Sequence, residues 1–292
     1  MFIVKYRKIF FTISIITIAL SFFAMATKGF NAGIDFKGGS LIEVSYDARP
    51  TVETLTTALN NAGFEGSRIQ MAGDSDVTVK TRALSETDRQ KLTSTLAVKG
   101  TKMTEKQFSS IGPTIGAELR SKAWYAIILV MLGIVLFIAY AFRHVSEPIS
   151  SWKYGMITTA TLLHDIIVPA GVFLWMGKEI DTLFVVALLS IMGISVHDTI
   201  VVFDRVRENL KLRISNDFAT TVGTSLRQTF TRSINTSLTV MLVLATLYFF
   251  GPASTKDFSL LLWMGIFVGT YSSVFVASPL LVVLERYSAK RG

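Results

Sequence analysis

Two uncharged stretches decide the class of this protein: residues 9–26, IFFTISIITIALSFFAMA, and residues 123–142, AWYAIILVMLGIVLFIAYAF. An apolar run of about 18 or more residues is long enough to cross a bilayer as a helix. The chain of 292 residues is 50% hydrophobic and 17% charged, whereas soluble domains carry about 25% charge. The sequence therefore predicts an α-helical integral membrane protein and excludes a cytosolic enzyme. It has no cysteine, which excludes disulfides and thiol nucleophiles.

Four further apolar stretches bring the predicted spans to six, at residues 9–26, 123–142, 154–176, 182–203, 232–250 and 258–284. With the N-terminus inside, the inside segments hold 14 Lys and Arg residues, against 2 in the short outside loops. Cytoplasmic segments carry this excess, so residues 1–8 and the C-terminus are expected in the cytoplasm. The net charge of +8 is then mainly a topology signal, and no nucleic-acid partner is expected.

The first span has a second interpretation. Basic residues precede it, and Ala24-Met25-Ala26 fits a small-x-small cleavage site, so a secretory signal peptide has the same pattern. The length of the apolar run favours a retained span.

Residues 27–122 change composition abruptly and hold 13 basic and 11 acidic side chains. Alternating apolar and polar residues predict strands, and Gly63 suits the end of a helix. The predicted order βαββαβ is that of a ferredoxin-like α+β domain, placed outside between spans one and two. The segment has no histidine, so the usual general base is missing and no catalysis is predicted.

A glycine-rich loop, Gly33-Ile-Asp-Phe-Lys-Gly-Gly-Ser40, opens this domain. A phosphate-binding loop needs lysine after its second glycine, but Gly39 stands there. We therefore interpret the loop as a turn between the first span and the first strand.

The most informative residues are ionisable groups inside the predicted spans. His164 and Asp165 lie in the third span, His197 and Asp198 in the fourth, and Arg232 opens the fifth. A charge at the bilayer centre costs at least about 2.5–3.5 kcal/mol, so such groups face protein or water. Helical spacing places several polar residues of the fifth span on one face, namely Arg232, Asn235, Thr236 and Thr239. Thr158, Thr161 and Asp165 do the same in the third span, and we expect the polar stripes to converge on one interior seam.

An aspartate near an arginine in a membrane can act as a proton relay, because the proton leaves the carboxyl when the guanidinium approaches. We predict Asp198 and Arg232 for these roles. The supporting polar residues are His197, His164, Asp165, Asn235 and Thr236. The histidines and Asp165 also fit purely structural hydrogen bonds. A zinc site of two histidines and two aspartates is a further option, although adjacent residues point about 100° apart on a helix.

Two other patterns concern packing. In the sixth span, Gly265, Gly269, Ser273 and Ala277 form a row of small residues that lets helices approach closely. Between spans four and five, apolar residues recur every four positions beside basic ones. They predict a cytoplasmic interfacial helix at residues 204–230, broken near Ser215–Asp217 and held on anionic membrane lipid.

Three of these motifs together resemble the SecF family, within the resistance-nodulation-division superfamily. They are the loop Gly33–Gly39, the string SVHDTIVVFDRVREN at residues 195–209, and RSINTS at residues 232–237. The resemblance implies a subunit that uses the proton-motive force to promote protein export across the bacterial cytoplasmic (inner) membrane. It implies SecD as heterodimer partner, supplying a further essential aspartate, and the SecYEG channel, with YajC and YidC as further partners. It places the relay on Asp198 and Arg232, with an exported unfolded polypeptide as the cargo.

No cofactor, metal or enzymatic activity is expected. One rival is a proton-coupled small-molecule or lipid exporter of the same superfamily, which would have larger outside domains. Another is an intramembrane aspartyl protease using Asp165 and Asp198, but the sequence has no Gly-x-Gly-Asp string.

Overall fold

The computed structural model describes residues 2–98, 100–143 and 150–289. Lys290 and Arg291, which the topology prediction counted as inside cations, lie outside these ranges. In chain order the helices are α1 (Phe2–Lys5), α2 (Arg7–Lys28), α3 (Ile34–Lys37), α4 (Val52–Asn61), α5 (Glu86–Leu96), α6 (Pro113–Ala141), α7 (Ser151–Trp175), α8 (Thr182–Lys211), α9 (Phe218–Phe250), α10 (Ala253–Ser272) and α11 (Ser278–Ala289), with a π-helical turn at Ser273–Ala277 between the last two. The strands are β1 (Gly39–Tyr46), β2 (Arg68–Ala72), β3 (Asp76–Thr81) and β4 (Met103–Ile111).

Six helical segments of the described chain are long and apolar enough to cross a membrane. Five of them fall within α2, α6, α7, α8 and α9, and the sixth runs from Ser254 to Tyr287 through α10, the π-helical turn and α11. A helix satisfies its own backbone hydrogen bonds, which lipid cannot do. The prediction of a six-span helical membrane protein is confirmed.

The second architectural part is a four-stranded sheet in the order β2-β3-β1-β4, antiparallel at every pair. With α4 and α5 this gives the βαββαβ order of a ferredoxin-like domain, and the fold-class prediction is confirmed. One sheet face is apolar because alternate residues point to the same side. Ile42 and Val44 of β1 and Val79 of β3 are fully buried there with Leu55 of α4 and Leu92 of α5.

The glycine loop before β1 is a close-packing element. Gly38 has φ +81°, and a Cβ there would lie 2.9 Å from the backbone of Pro113. Gly39 has φ +155°, and its Cβ would meet the Thr81 carbonyl oxygen at 2.8 Å. Only glycine adopts these angles without strain and leaves this space. The loop is therefore a turn fixed by sterics, as the sequence suggested.

The chain forms two compact units, the helical bundle and the sheet unit, and the sheet unit has an unexpected member. It comprises Ala32–Tyr125 together with Glu179–Thr182, which are the end of the loop between α7 and α8 and the first residue of α8. The Gly33 amide donates to the Ile180 carbonyl at 2.7 Å, and the Thr182 amide donates to Asp35 Oδ2 at 2.9 Å. The sequence gives no local signal for this addition, because the pairing joins residues far apart in the chain.

The prediction of a separate interfacial helix at residues 204–230 was wrong. Its first part is the end of α8 and its last part the start of α9, joined by a turn in which Arg213 has φ +50°. Asp217 caps α9 by accepting from the Thr220 amide at 2.8 Å. The apolar residues repeat every four positions because they are packed in the helical bundle: Val206, Val222 and Leu226 are all buried.

Glu179 gives the sheet unit a measurable dependence on pH. Its carboxylate lies 2.6 Å from Lys80 Nζ and 2.9 Å from Arg68 Nη1, and its side chain is 18% exposed. Burial raises the pKa of Glu179, but these two cations outweigh burial and hold the pKa below its usual range. Because the folded state then binds the proton less tightly than the unfolded state, the stabilisation is present above the unfolded pKa, about 4.3. It is lost as pH falls through the folded value.

We expect Glu179→Gln to destabilise the sheet unit by about 1–3 kcal/mol near neutral pH and to weaken its loss of stability in acid. Amide hydrogen exchange of β2 and β3, measured in detergent from neutral to acidic pH, reports on this unit specifically. Glu53→Gln, at an exposed position of α4, is the matched control. Equal acid sensitivity in all three proteins would contradict the assignment.

Candidate functional site

A fully buried carboxylate lies where three membrane helices meet. Asp165 of α7 is 0% exposed. Its Oδ1 is 2.8 Å from His164 Nδ1, while its Oδ2 accepts from the hydroxyl of Ser195 on α8 and, at 2.7 Å, from the hydroxyl of Ser272 at the end of α10. A buried charge needs such partners, because an unpaired one is very costly in a low-dielectric interior. This cluster ties α7, α8 and α10 together.

Small residues of the last span allow this approach. A Cβ at Gly265 would fall 2.2 Å from Ile191 Cδ1, and one at Gly269 would fall 3.1 Å from Ser195 Cβ. One turn further on, the hydroxyls of Thr199 and Ser273 are 2.9 Å apart. Rows spaced by four residues on α8 and α10 thus face each other with little side chain between them.

The π-helical turn begins where this row ends. It runs from Ser273 to Ala277, and the Ser278 hydroxyl donates to the Ser273 carbonyl at 3.0 Å. Because a π-helical turn contains one more residue than an α-helical turn, Ala277 does not continue the row of small residues that faces α8. Ala277 is instead fully buried in the apolar core. Such turns are frequent at functional sites.

The second buried carboxylate is Asp198 of α8, which is 7% exposed. It faces the buried hydroxyls of Ser233 and Ser237 on α9, with His197 and Arg232 within electrostatic range. Ser237 accepts from the Thr270 hydroxyl of α10 at 2.6 Å. Among the described residues, Asp198 and Arg232 do not form an ion pair. The structure therefore places the two predicted relay residues near each other but not in contact.

The polar face predicted for the fifth span is on the exposed side of α9 and does not face the interior of the bundle. Arg232, Asn235 and Thr236 are exposed on α9, and His197 is exposed on α8. The expectation that these stripes meet on one interior seam of this chain was wrong for α9. Helical periodicity identifies a polar face but does not say whether that face packs inside the chain.

The residues that α9 turns inward include a row of hydroxyls that the sequence interpretation missed. Every fourth residue is serine or threonine and is buried: Thr221, Ser225, Thr229, Ser233 and Ser237. Asn209, near the end of α8, donates to Ser225 Oγ at 2.8 Å and is itself buried. The spacing of four was visible in the sequence and could have identified this face.

No group of three or more His, Cys, Asp or Glu residues within the described ranges is arranged to hold a metal ion. His164 is buried beside Asp165, whereas His197 is exposed, so the predicted zinc alternative has no geometric support. The described arrangement is suited to proton exchange: two buried carboxylates, hydroxyls that can donate or accept, and a nearby guanidinium.

Comparison with known proteins decides the family. The profile described as "Protein export membrane protein SecD/SecF, C-terminal" matches residues 91–287, and the "SecD/SecF GG Motif" matches residues 23–48. Protein translocase subunit SecF of Thermobaculum terrenum is 40% identical over 299 residues, covering 97% of this chain and 93% of the relative. This chain belongs to the SecF family.

Two solved structures that are similar to this SecF-family chain are of SecDF. The crystal structure of SecDF, a translocon-associated membrane protein from Thermus thermophilus, matches with a TM-score of 0.86 and 33% identity over 97% of this chain. A super-membrane-facing form of SecDF matches with a TM-score of 0.68 over 99% of it. The SecF-family chain covers 38% of the first SecDF chain. It is thus similar to one part of a longer protein.

The close approach of α8 and α10 in this SecF-family chain can be tested by overpacking. We expect Gly265→Val to destabilise the bundle by about 1–3 kcal/mol, because the added methyls would overlap Ile191. Gly133→Val on α6 is the control, since a Cβ there meets nothing within 4 Å. Thermal unfolding of both variants in the same detergent measures the difference, and equal midpoints would contradict this packing.

Proposed function

We propose that this protein is an accessory subunit of the Sec machinery that uses the proton-motive force to promote protein export together with SecD. The observation that carries the proposal is the buried carboxylate of Asp198 inside a membrane-spanning helix, facing hydroxyls of α9. The names of the relatives, protein translocase subunits, support the cargo. No covalent chemistry on the cargo and no cofactor are part of the proposal.

The proposed cycle follows from electrostatics. An ionised carboxylate is costly in a low-dielectric bundle unless a cation is close. With Arg232 withdrawn, Asp198 holds a proton; when helix movement brings the guanidinium nearer, the proton leaves toward the side then accessible. Arginine remains charged throughout. Alternating access makes the exchange directional, and each proton moving down the potential releases about 2.3 kcal/mol per 100 mV.

The exposed polar face of α9 is the proposed contact with SecD. Arg232, Asn235 and Thr236 are exposed there, and a guanidinium facing lipid is unfavourable. A spanning helix of SecD that brings a carboxylate would satisfy Arg232. The Thermus thermophilus relative is named SecDF and is 36% identical over 90% of this chain, which supports a partner of this kind.

The proposed setting is the bacterial inner membrane, with both termini in the cytoplasm and the sheet unit outside. The cargo is an unfolded polypeptide emerging from SecYEG, and YajC and YidC are further proposed partners. The bias of Lys and Arg toward the inside segments supports this orientation.

Asp198→Asn tests the relay, because asparagine keeps the size of the side chain and cannot exchange a proton. We expect translocation of a preprotein into vesicles containing SecYEG, SecA and SecD to fall to the rate seen without a proton-motive force. Asp204→Asn, which removes an exposed acid from the same helix, should retain the stimulation. Full stimulation in Asp198→Asn would contradict the relay. If Asp198→Asn abolished proton-driven transport of a small molecule or lipid but left preprotein translocation unchanged, the rival function of a small-molecule or lipid exporter would be favoured.

Photo-crosslinking tests the contact with SecD. A benzophenone amino acid at Thr236, on the exposed face of α9, should crosslink to SecD when both chains are produced together. The same probe at Leu129, on the exposed apolar face of α6, should give no SecD product. Crosslinking from Leu129 alone would place SecD on the other side of the bundle.

A further inference from the structure

We propose that His164 and Asp165 form a second proton-binding site, separate from Asp198, whose charge alternates with that of Asp198. The inference deepens the proton-driven function proposed above and rests on it. It starts from a group that the Asp198–Arg232 relay does not use. Asp165 is fully buried, His164 is 4% exposed, and the two side chains are 2.8 Å apart.

The hydrogen bonds specify which charge states the site accepts. With one proton shared by the pair, the net charge is zero, and Oδ2 still accepts from Ser195 and Ser272. With that proton gone, His164 Nδ1 donates to an ionised Asp165, and every contact is retained at a net charge of −1. The Ser272 hydroxyl also donates to the Gly269 carbonyl at 3.0 Å, so a protonated Oδ2 can donate to the Ser272 oxygen instead. Because serine hydroxyls both donate and accept, the site keeps its hydrogen bonds whether or not it holds the proton, and it can therefore bind and release one proton.

The hydroxyls make the deprotonated state attainable. Hydrogen bonds from Ser195 and Ser272 stabilise a carboxylate more than a neutral carboxyl. A neutral amide could accept the same two hydroxyls, but it could not exchange a proton. The combination of histidine, carboxylate and two hydroxyls allows this site to hold a proton or release it.

The surroundings link this site to Asp198. Ser195 and Asp198 are three residues apart on α8, a spacing of about 5–6 Å between Cβ atoms. On α10, Ser272 contacts Asp165, and Thr270 donates to Ser237, which Asp198 faces. Among the described residues, a further ionisable group near the site is Tyr271 of α10, whose ring centroid is 6.3 Å from that of His164. Its hydroxyl donates to the Phe10 carbonyl of α2 at 2.9 Å and lies 3.5 Å from the Ser14 hydroxyl.

Two ionised carboxylates in one low-dielectric helix bundle oppose each other. A proton that leaves the His164–Asp165 pair changes that pair from zero to −1. The same proton, taken up by Asp198, changes that carboxylate from −1 to zero. The net charge of the bundle is unchanged by the transfer, so the two sites exchange one proton without leaving two buried charges.

Infrared titration tests this directly. The full chain, labelled with 13C-aspartate and placed in lipid vesicles with SecD, should show carboxyl bands from two buried aspartates that titrate. Asp165→Asn should remove one and Asp198→Asn the other. In His164→Gln the proton can reside only on Asp165, so the protonated-carboxyl band should gain intensity near neutral pH. Ser195→Ala, which removes a hydroxyl but neither ionisable group, should keep both bands.

An unchanged set of titrating bands in Asp165→Asn would overturn the proposal, as would an Asp165 band of constant intensity at every pH in the native chain. The latter measurement remains decisive if Asp165→Asn does not fold. Proton-driven export that survives Asp198→Asn, with one band still lost in Asp165→Asn, would refute the Asp198 relay and leave the second site in place. If Asp165 were purely structural, Asp165→Asn would lower export equally at every pH. If Asp165 binds a proton, Asp165→Asn shifts the pH profile of export.

Discussion

The packing of the membrane bundle depends on one constraint: the carboxylate of Asp165 is out of contact with water and must find its donors within the protein. It finds them on two other helices, in Ser195 and Ser272, and beside it in His164. Since lipid offers no substitute for these donors, α8 and α10 have to come close to α7. The glycines at 265 and 269 suit that requirement, because a Cβ at Gly265 would overlap the Ile191 side chain and a Cβ at Gly269 would lie only 3.1 Å from Ser195 Cβ.

Sequence patterns predicted the parts of this protein that one helix or strand determines alone. Apolar length located the spans, and alternation located the strands of the sheet unit. The patterns failed where a partner element decides the outcome. Arg232 and Asn235 lie on a real polar face, but Ser233 and Ser237 occupy the inward side of the same helix. A period of 3.6 residues is equally compatible with either orientation, so only packing could distinguish them. The Asp165 cluster depended likewise on three helices separated in sequence.

The uncovered helix surfaces differ in chemistry, and this difference separates lipid from protein as the covering medium. The exposed face of α6 carries Leu129, Leu132 and Phe137, which lie favourably against acyl chains. The exposed face of α9 carries Arg232, a charged group that is unfavourable against acyl chains. This difference is compatible with lipid around α6 and supports the proposed protein contact at α9.

The covalent path between the ionisable groups and the sheet unit is short. Asp165 is on α7 and Asp198 is on α8, and these two helices run into the same loop. The end of that loop and the first residue of α8, Glu179–Thr182, belong to the sheet unit by their contacts, including the ion pair of Glu179 with Lys80. The two helices that carry the buried carboxylates therefore adjoin, along the chain, a segment that is fixed by contacts within the sheet unit.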